Sequence, residues 1–188
     1  MVLTYFMDAP LPETDAREFE EGSIAFEPLE TRGEVDFRLI ELFFFAYREF
    51  TADADEILAR YGFGRAHHRI LHFVNRDPGM TIAAILDLLQ ITKQSLSRVL
   101  RQLVDDGFIV LLPGDDDRRQ RRLYPTAKGR ELTLELSRAQ ARRIDAALAH
   151  SGGEDAPWVG DFLFEMGCDR LTTRDWFARK GIVKEDTR

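Results

Sequence analysis

The 188-residue chain reads as a mainly α protein in which one short β-hairpin follows two closely spaced short helices. Three observations lead there. Apolar residues recur at three- and four-residue steps over two long stretches, one beginning at Val35 and one at Ala127. Between them, Thr81 and Thr92 stand where N-caps would open two short helical segments. After these, Phe108-Ile-Val-Leu-Leu112 is a strand-forming run, and Pro113-Gly114-Asp-Asp-Asp117 supplies turn residues before Arg121 to Tyr124 return.

Residues 1–34 hold three of the seven prolines and much of the excess acid, which suits an extended or partly ordered arm. From Val35 the pattern becomes helical. Leu39, Leu42, Phe43, Ala46, Tyr47, Phe50, Ala54, Ile57 and Leu58 form one apolar face, and Phe37, Ile40, Phe44 and Phe45 widen it. A helix apolar on more than one side needs two partners, here its own domain and a second subunit. Gly62 and Gly64 are expected to end it. A second helix runs from Arg65 to Asn75 with Ile70, Leu71, Phe73 and Val74 inward, and Asp77-Pro78-Gly79 makes a turn. Thr81 caps a third helix over Ile82–Leu89, and Thr92 a fourth from Lys93 to Asp106, closed by Gly107. The long helix from Ala127 to His150 ends at Ser151-Gly-Gly153, and two apolar clusters, Trp158 to Met166 and Leu171 to Phe177, suit short helices.

A hydrophobic content of 44% is enough for a packed core, which excludes global disorder. No run approaches the roughly 20 apolar residues of a membrane span, the start lacks a secretion leader, and the single cysteine, Cys168, cannot pair within the chain. A cytoplasmic protein is expected. The net charge of −7 looks adverse to nucleic acid, but it is unevenly spread. Residues 1–34 carry two basic and nine acidic side chains, whereas residues 65–130 carry twelve basic and seven acidic ones. DNA responds to the local potential at its phosphates, so an acidic total does not exclude it.

Helix, tight turn, helix and hairpin, in that order, make a winged helix-turn-helix. On the fourth helix Leu96, Val99, Leu100, Leu103 and Val104 share one face, and the other presents Lys93, Gln94, Ser97, Arg98 and Arg101. Gln pairs bidentately with adenine and Arg with guanine, while Ser and Lys reach phosphates or base edges. Docking by the N-terminal turns favours Lys93, Gln94, Ser97 and Arg98 for base contact. A solvated helix face would ordinarily mix both signs of charge, and no acid stands between Thr92 and Val104. At the hairpin tip, Arg118, Arg119, Arg121 and Arg122 can enter the minor groove or clamp phosphates. Asp117 beside them can shape the wing by a bidentate Asp–Arg pair.

The stretch from Thr81 to Ile109 resembles the helix-turn-helix of the MarR family of regulators. The wing is similar to that family's signature in Asp117-Arg118-Arg119 followed by Leu123, Thr126 and Gly129. The resemblance covers about residues 35–150. It implies a homodimeric transcriptional regulator that binds a pseudo-palindromic operator in double-stranded DNA. An enzyme, with only the histidine cluster behind it, is not expected, nor is a cofactor. The organisation expected is an acidic arm (1–34), an N-terminal dimerisation helix (35–64), the DNA-binding domain (65–126), and C-terminal dimerisation helices with an extension (127–188). Pro125 departs from the aliphatic residue usual in that family, so the second wing strand is expected to end by Tyr124.

His67, His68 and His72 cluster on the second helix, and His68 and His72 share a face at a spacing compatible with metal ligation. No acidic partner lies on that helix, and imidazoles packed at a junction are the better reading, with no metal. The family resemblance would set Phe43, Tyr47, His68 and His72 around a small-molecule effector pocket. Cys168, between apolar neighbours, reads as a buried inert thiol. The sequence contains no phosphate loop, nucleophile elbow or paired-cysteine zinc signature. The competing reading is a winged helix that serves as a protein-interaction module without sequence-specific DNA binding, which the acidic arm would suit.

Overall fold

A computed structural model describes residues 25, 28, 33–114, 120–151 and 157–182. The chain divides into two compact units, residues 1–48 and 49–188. The first contains the start of helix α1 (Phe37–Ala59), where Leu39, Ile40, Leu42, Phe43, Phe44, Phe45 and Tyr47 are all exposed.

The second unit begins with the rest of α1, whose Ala54 and Leu58 are fully buried. The helix ends at Ala59 through a Schellman turn. Gly62 takes φ +65° and donates to the Ala59 carbonyl, and Phe63 N–H reaches back to the Leu58 carbonyl at 3.1 Å. Gly62 therefore ends the helix, but Gly64 has a different job: it is the N-cap of α2 (Arg65–Arg76). Then come β1 (Met80–Thr81), α3 (Ile82–Leu89), α4 (Lys93–Asp105), β2 (Ile109–Pro113), β3 (Arg121–Pro125), α5 (Ala127–His150), α6 (Pro157–Gly167) and α7 (Leu171–Lys180). Thr81, Thr92 and Thr126 cap α3, α4 and α5, each hydroxyl accepting from the backbone N–H three residues on.

The sheet is antiparallel in the order β1-β3-β2. Met80 pairs with Leu123 in β1·β3, and Ile109 pairs with Pro125 in β2·β3. Strand β3 thus runs one residue further than expected, through Pro125. The register explains why proline is tolerated. Thr126 N–H bonds the Phe108 carbonyl, and Gly114 N–H bonds that of Gln120. These hydrogen-bonded pairs alternate with non-bonded ones, and both Pro125 opposite Ile109 and Pro113 opposite Arg121 occupy non-bonded positions. Neither proline removes a bond between β2 and β3.

One core fills this unit. Ile70, Leu71 and Val74 of α2 meet Ile85 of α3, Leu96, Val99, Leu100 and Leu103 of α4, Phe108 and Ile109, Leu123 of β3, Leu132 and Leu136 of α5, and Trp176 of α7. Truncating any of the fully buried aliphatics to Ala costs about 2–5 kcal/mol. A polar tie runs through it: Asn75 Nδ2 donates to Thr133 Oγ1 at 2.8 Å, and that hydroxyl donates to the Gly129 carbonyl at 2.8 Å. On the outside, Arg143 grips Asp53 through two nitrogens at 2.9 and 3.0 Å and holds the carboxyl below its ordinary range. Arg60 pairs with Glu135.

Candidate nucleic-acid interface

Helix α4 is held by its apolar stripe and by both ends. Leu96, Val99, Leu100 and Leu103 are buried and Val104 half-buried, which leaves the opposite side to solvent. At the N-terminus, Thr92 Oγ1 accepts from Ser95 N–H at 3.2 Å and donates to Ser95 Oγ at 3.0 Å. Lys93, Gln94, Ser97, Arg98 and Arg101 are all exposed. No hydrogen bond or ion pair engages any of these five side chains among the described residues. Their cationic and amide groups need break no contact with a described residue to meet a ligand. A helix of 13 residues is about 20 Å long and 10–12 Å across, the calibre of a B-DNA major groove.

At the other end of α4, His67 supplies a tie that sequence reading did not find. Its Nδ1 accepts the Gly64 N–H at 3.1 Å, so it satisfies an orphan donor at the start of its own helix. That bond places the ring proton on Nε2, which lies 2.9 Å from Gln102 Oε1 and donates to it. The imidazole stacks flat on Phe63, with ring centroids 4.6 Å apart. Burial pushes its pKa below 6.5, and the positive charge of Arg98 acts in the same direction. A lone His three residues after a Gly is too common a pattern to have signalled this.

The wing is built on core residues. Leu123 is buried, while Val110 and Leu112 on the other face of the hairpin are exposed. Arg121 is exposed at the base of the tip. Arg122 is half-buried, and its Nη1 donates to the Gly79 carbonyl at 3.3 Å, tying β3 to the turn before β1. Asp117, Arg118 and Arg119 lie outside the described residues. Behind the wing, Thr126 Oγ1 donates to the Gly107 carbonyl at 2.7 Å, and Lys128 Nζ to that of Asp106 at 2.8 Å, so the start of α5 is fastened to the end of α4.

The remaining candidates fall as follows. Phe43 and Tyr47 are exposed on α1 in the first unit. His68 and His72, on α2 in the second, are half-buried, and burial lowers both pKa values. His72 meets Phe73 edge-on at 5.1 Å. Among the described residues no group of three His, Cys, Asp or Glu side chains could hold a metal ion. Cys168 is buried, as expected. No described helix is long and apolar enough to cross a membrane.

Comparison with known proteins bears on this geometry. A model of the MarR family matches residues 61–120. The HTH-type transcriptional regulator PetP of Rhodobacter capsulatus is 52% identical over 113 residues, which are 60% of this chain and 68% of that protein. An uncharacterized HTH-type transcriptional regulator of Bacillus subtilis, YybA, is 23% identical over 122 residues, 64% of this chain and 80% of its own. Among solved structures, a MarR protein from Peptoclostridium difficile superposes with a TM-score of 0.63 at 16% identity, covering 81% of this chain and 97% of that one. A putative MarR family regulator from Listeria monocytogenes, crystallised with a 26mer DNA, gives 0.60 at 18% identity, covering 80% and 98%. At these identities the structural likeness speaks to the fold: a winged helix.

Proposed function

Since the chain belongs to the MarR family and is a transcriptional regulator of that type, we propose that it acts in the cytoplasm as a homodimer on a pseudo-palindromic operator. Residues 65–126 are its DNA-binding domain, with 35–64 and 127–188 supplying dimer contacts beside an acidic arm, 1–34. The outer face of α4, acid-free and engaged by no described residue, carries this reading. Lys93, Gln94, Ser97 and Arg98 contact base edges, and Arg101 follows on the same face. Arg118, Arg119 and Arg121 grip phosphates or the minor groove, and Arg122 adds charge while anchoring the wing. The exposed apolar surface of α1, from Leu39 to Tyr47, supports the dimer, because a monomer rarely leaves that many large apolar residues in water.

The test is binding of promoter fragments at two salt concentrations by wild type, Arg98→Ala and Arg119→Ala. Wild type should prefer its own operator and weaken steeply with salt. Arg98→Ala should relax sequence preference and cost about 1–3 kcal/mol, whereas Arg119→Ala should weaken all duplexes alike. If both substitutions leave binding unchanged, the reading surface is elsewhere.

A further inference from the structure

Helix α7 does not trail away from the DNA-reading lobe; it packs into it. Trp176 is 4% exposed and belongs to the central core, where it meets Phe73 of α2 edge-to-face at 5.0 Å. At its C-terminal end, Arg179 and Lys180 converge on one carboxylate, Asp77, at 3.1 and 2.9 Å. Lys180 Nζ also donates to the Arg76 carbonyl at 2.8 Å and lies 4.9 Å from the centre of the Trp176 ring. Asp77 is the C-cap of α2. One end of α7 is thereby fixed to the end of α2.

The other end reaches the turn of the helix-turn-helix. Gln90 is the C-cap of α3 and the one described non-glycine residue with positive φ, at φ 51° and ψ 47°. A left-handed conformation costs an ordinary residue roughly 1–2 kcal/mol and persists only where its surroundings hold it. Both ends of the Gln90 amide are held. Its Nε2 donates to the Asp87 carbonyl within α3, and its Oε1 accepts from Arg170 Nη1 at 3.2 Å. Arg170 is the N-cap of α7, and its carbonyl accepts from Thr173 and Arg174 N–H, both at 3.1 Å. Arg174 Nε then donates to the Cys168 carbonyl at 2.6 Å and secures the link between α6 and α7. Only Ile91 and Thr92 separate Gln90 from α4, so the conformation of Gln90 sets the direction in which α4 departs.

We infer that α7 is a brace for the reading head, and that Arg170, acting on Gln90, is a positioning residue for DNA recognition. It touches no base. It holds the left-handed turn that aims Lys93, Gln94, Ser97 and Arg98. The inference rests on α4 being the DNA-reading helix, and it assigns a recognition role to a C-terminal segment otherwise expected to serve dimerisation.

The experiment uses the full-length chain and two duplexes of equal length, one selected from random-sequence DNA by wild type and one scrambled. Arg170→Ala and Gln90→Gly should each lower affinity for the selected duplex roughly three- to tenfold, the net worth of one solvent-exposed hydrogen bond. Binding of the scrambled duplex should not change, because the phosphate-gripping arginines are untouched. Gln90→Gly also relieves the left-handed strain, so its loss of affinity cannot be ascribed to unfolding. The double variant should be no weaker than either single one, and Arg170→Lys, which keeps a cationic donor, should recover most of the loss. Equal losses on both duplexes, additive losses in the double variant, or no loss would overturn the brace. If wild type selects no duplex at all, the DNA-binding reading fails instead. Amide exchange then tests the brace by itself: residues 90–92 should exchange faster in Arg170→Ala, and unchanged exchange refutes it.

Discussion

Two glycines on helices of this chain should respond to alanine in opposite directions. Gly129 stands three residues after the cap Thr126, where the first turn of α5 crosses the end of α4. A Cβ built there lies 2.2 Å from the Phe108 carbonyl oxygen and 3.1 Å from its carbon. That oxygen is backbone and already accepts from Thr126 N–H at 3.1 Å and from Thr126 Oγ1 at 3.3 Å. A methyl group can enter only if α5 moves away by about 1 Å or more, which strains or breaks both bonds and the one from Thr126 Oγ1 to the Gly107 carbonyl. The weakened backbone bond and the weakened bonds of the one Thr126 hydroxyl together cost about 1–3 kcal/mol and the steric misfit a similar amount. Better helix propensity returns at most about 1 kcal/mol. The net for Gly129→Ala is a loss of about 2–4 kcal/mol, or roughly 5–15 °C in Tm for a domain of this size. Gly160, inside α6, has nothing within 4 Å of its added Cβ, so Gly160→Ala should stabilise by about 0.5–1 kcal/mol. Urea unfolding at matched protein concentration gives both values. If Gly129→Ala is neutral or stabilising, the close approach of α5 to Phe108 is wrong, and so is the account of how the wing is seated.

Two further outcomes follow from the same structure. Burial lowers the pKa of His67, His68 and His72 below 6.5, so the unfolded chain binds protons more readily and stability rises with pH. Their contribution is complete above pH 6.5 and is lost as pH falls through the lowered folded-state values. The urea midpoint should therefore drop between pH 7.5 and 5, and a midpoint that rose on acidification would contradict the burial of these rings. Thr133→Val keeps the shape of a buried side chain but removes the acceptor of Asn75 and the donor to the Gly129 carbonyl. It should cost about 1–3 kcal/mol, and combination with Asn75→Ala should be less than additive in the same unfolding assay.

Much of this architecture was legible because its boundaries are chemical. Thr81 and Thr92 announce two helix starts, and α3 and α5 run over the residues that the Thr81 cap and the apolar period from Ala127 indicate, while the cap of α5 by Thr126 emerges only in the structure. The buried stripe of α4 could be read in the same way. What escaped had no local signature. Strand β1 is two residues long and exists only because β3 passes beside it. The tolerance of Pro125 depends on ladder parity, which a sequence shows only once the register is known. The link from His67 to Gln102 spans 35 positions and that from Arg170 to Gln90 spans 80, so neither could appear in any window of helical periodicity.

These hidden contacts share a purpose. The exposed face of α4 carries side chains that no described residue engages, and on the reading proposed above such groups can read DNA only if the backbone beneath them does not move. A displacement of about 1 Å is enough to spoil a bidentate contact. The buried stripe fixes how deeply α4 sits and its rotation about its axis, but a helix on an apolar seat can still slide or pivot. Gln102 against His67 restrains the C-terminal half. Gln90 against Arg170 restrains the entry, and Lys128 with Thr126 fastens the exit to α5. All four restraints are polar and directional, as a device that fixes position must be. They also come from residues far apart in the chain, α2, α5 and α7. On the proposed assignment of α4 as the reading helix, it is held still by the whole unit, and the accuracy of recognition should be sensitive to changes well away from the bases it would meet.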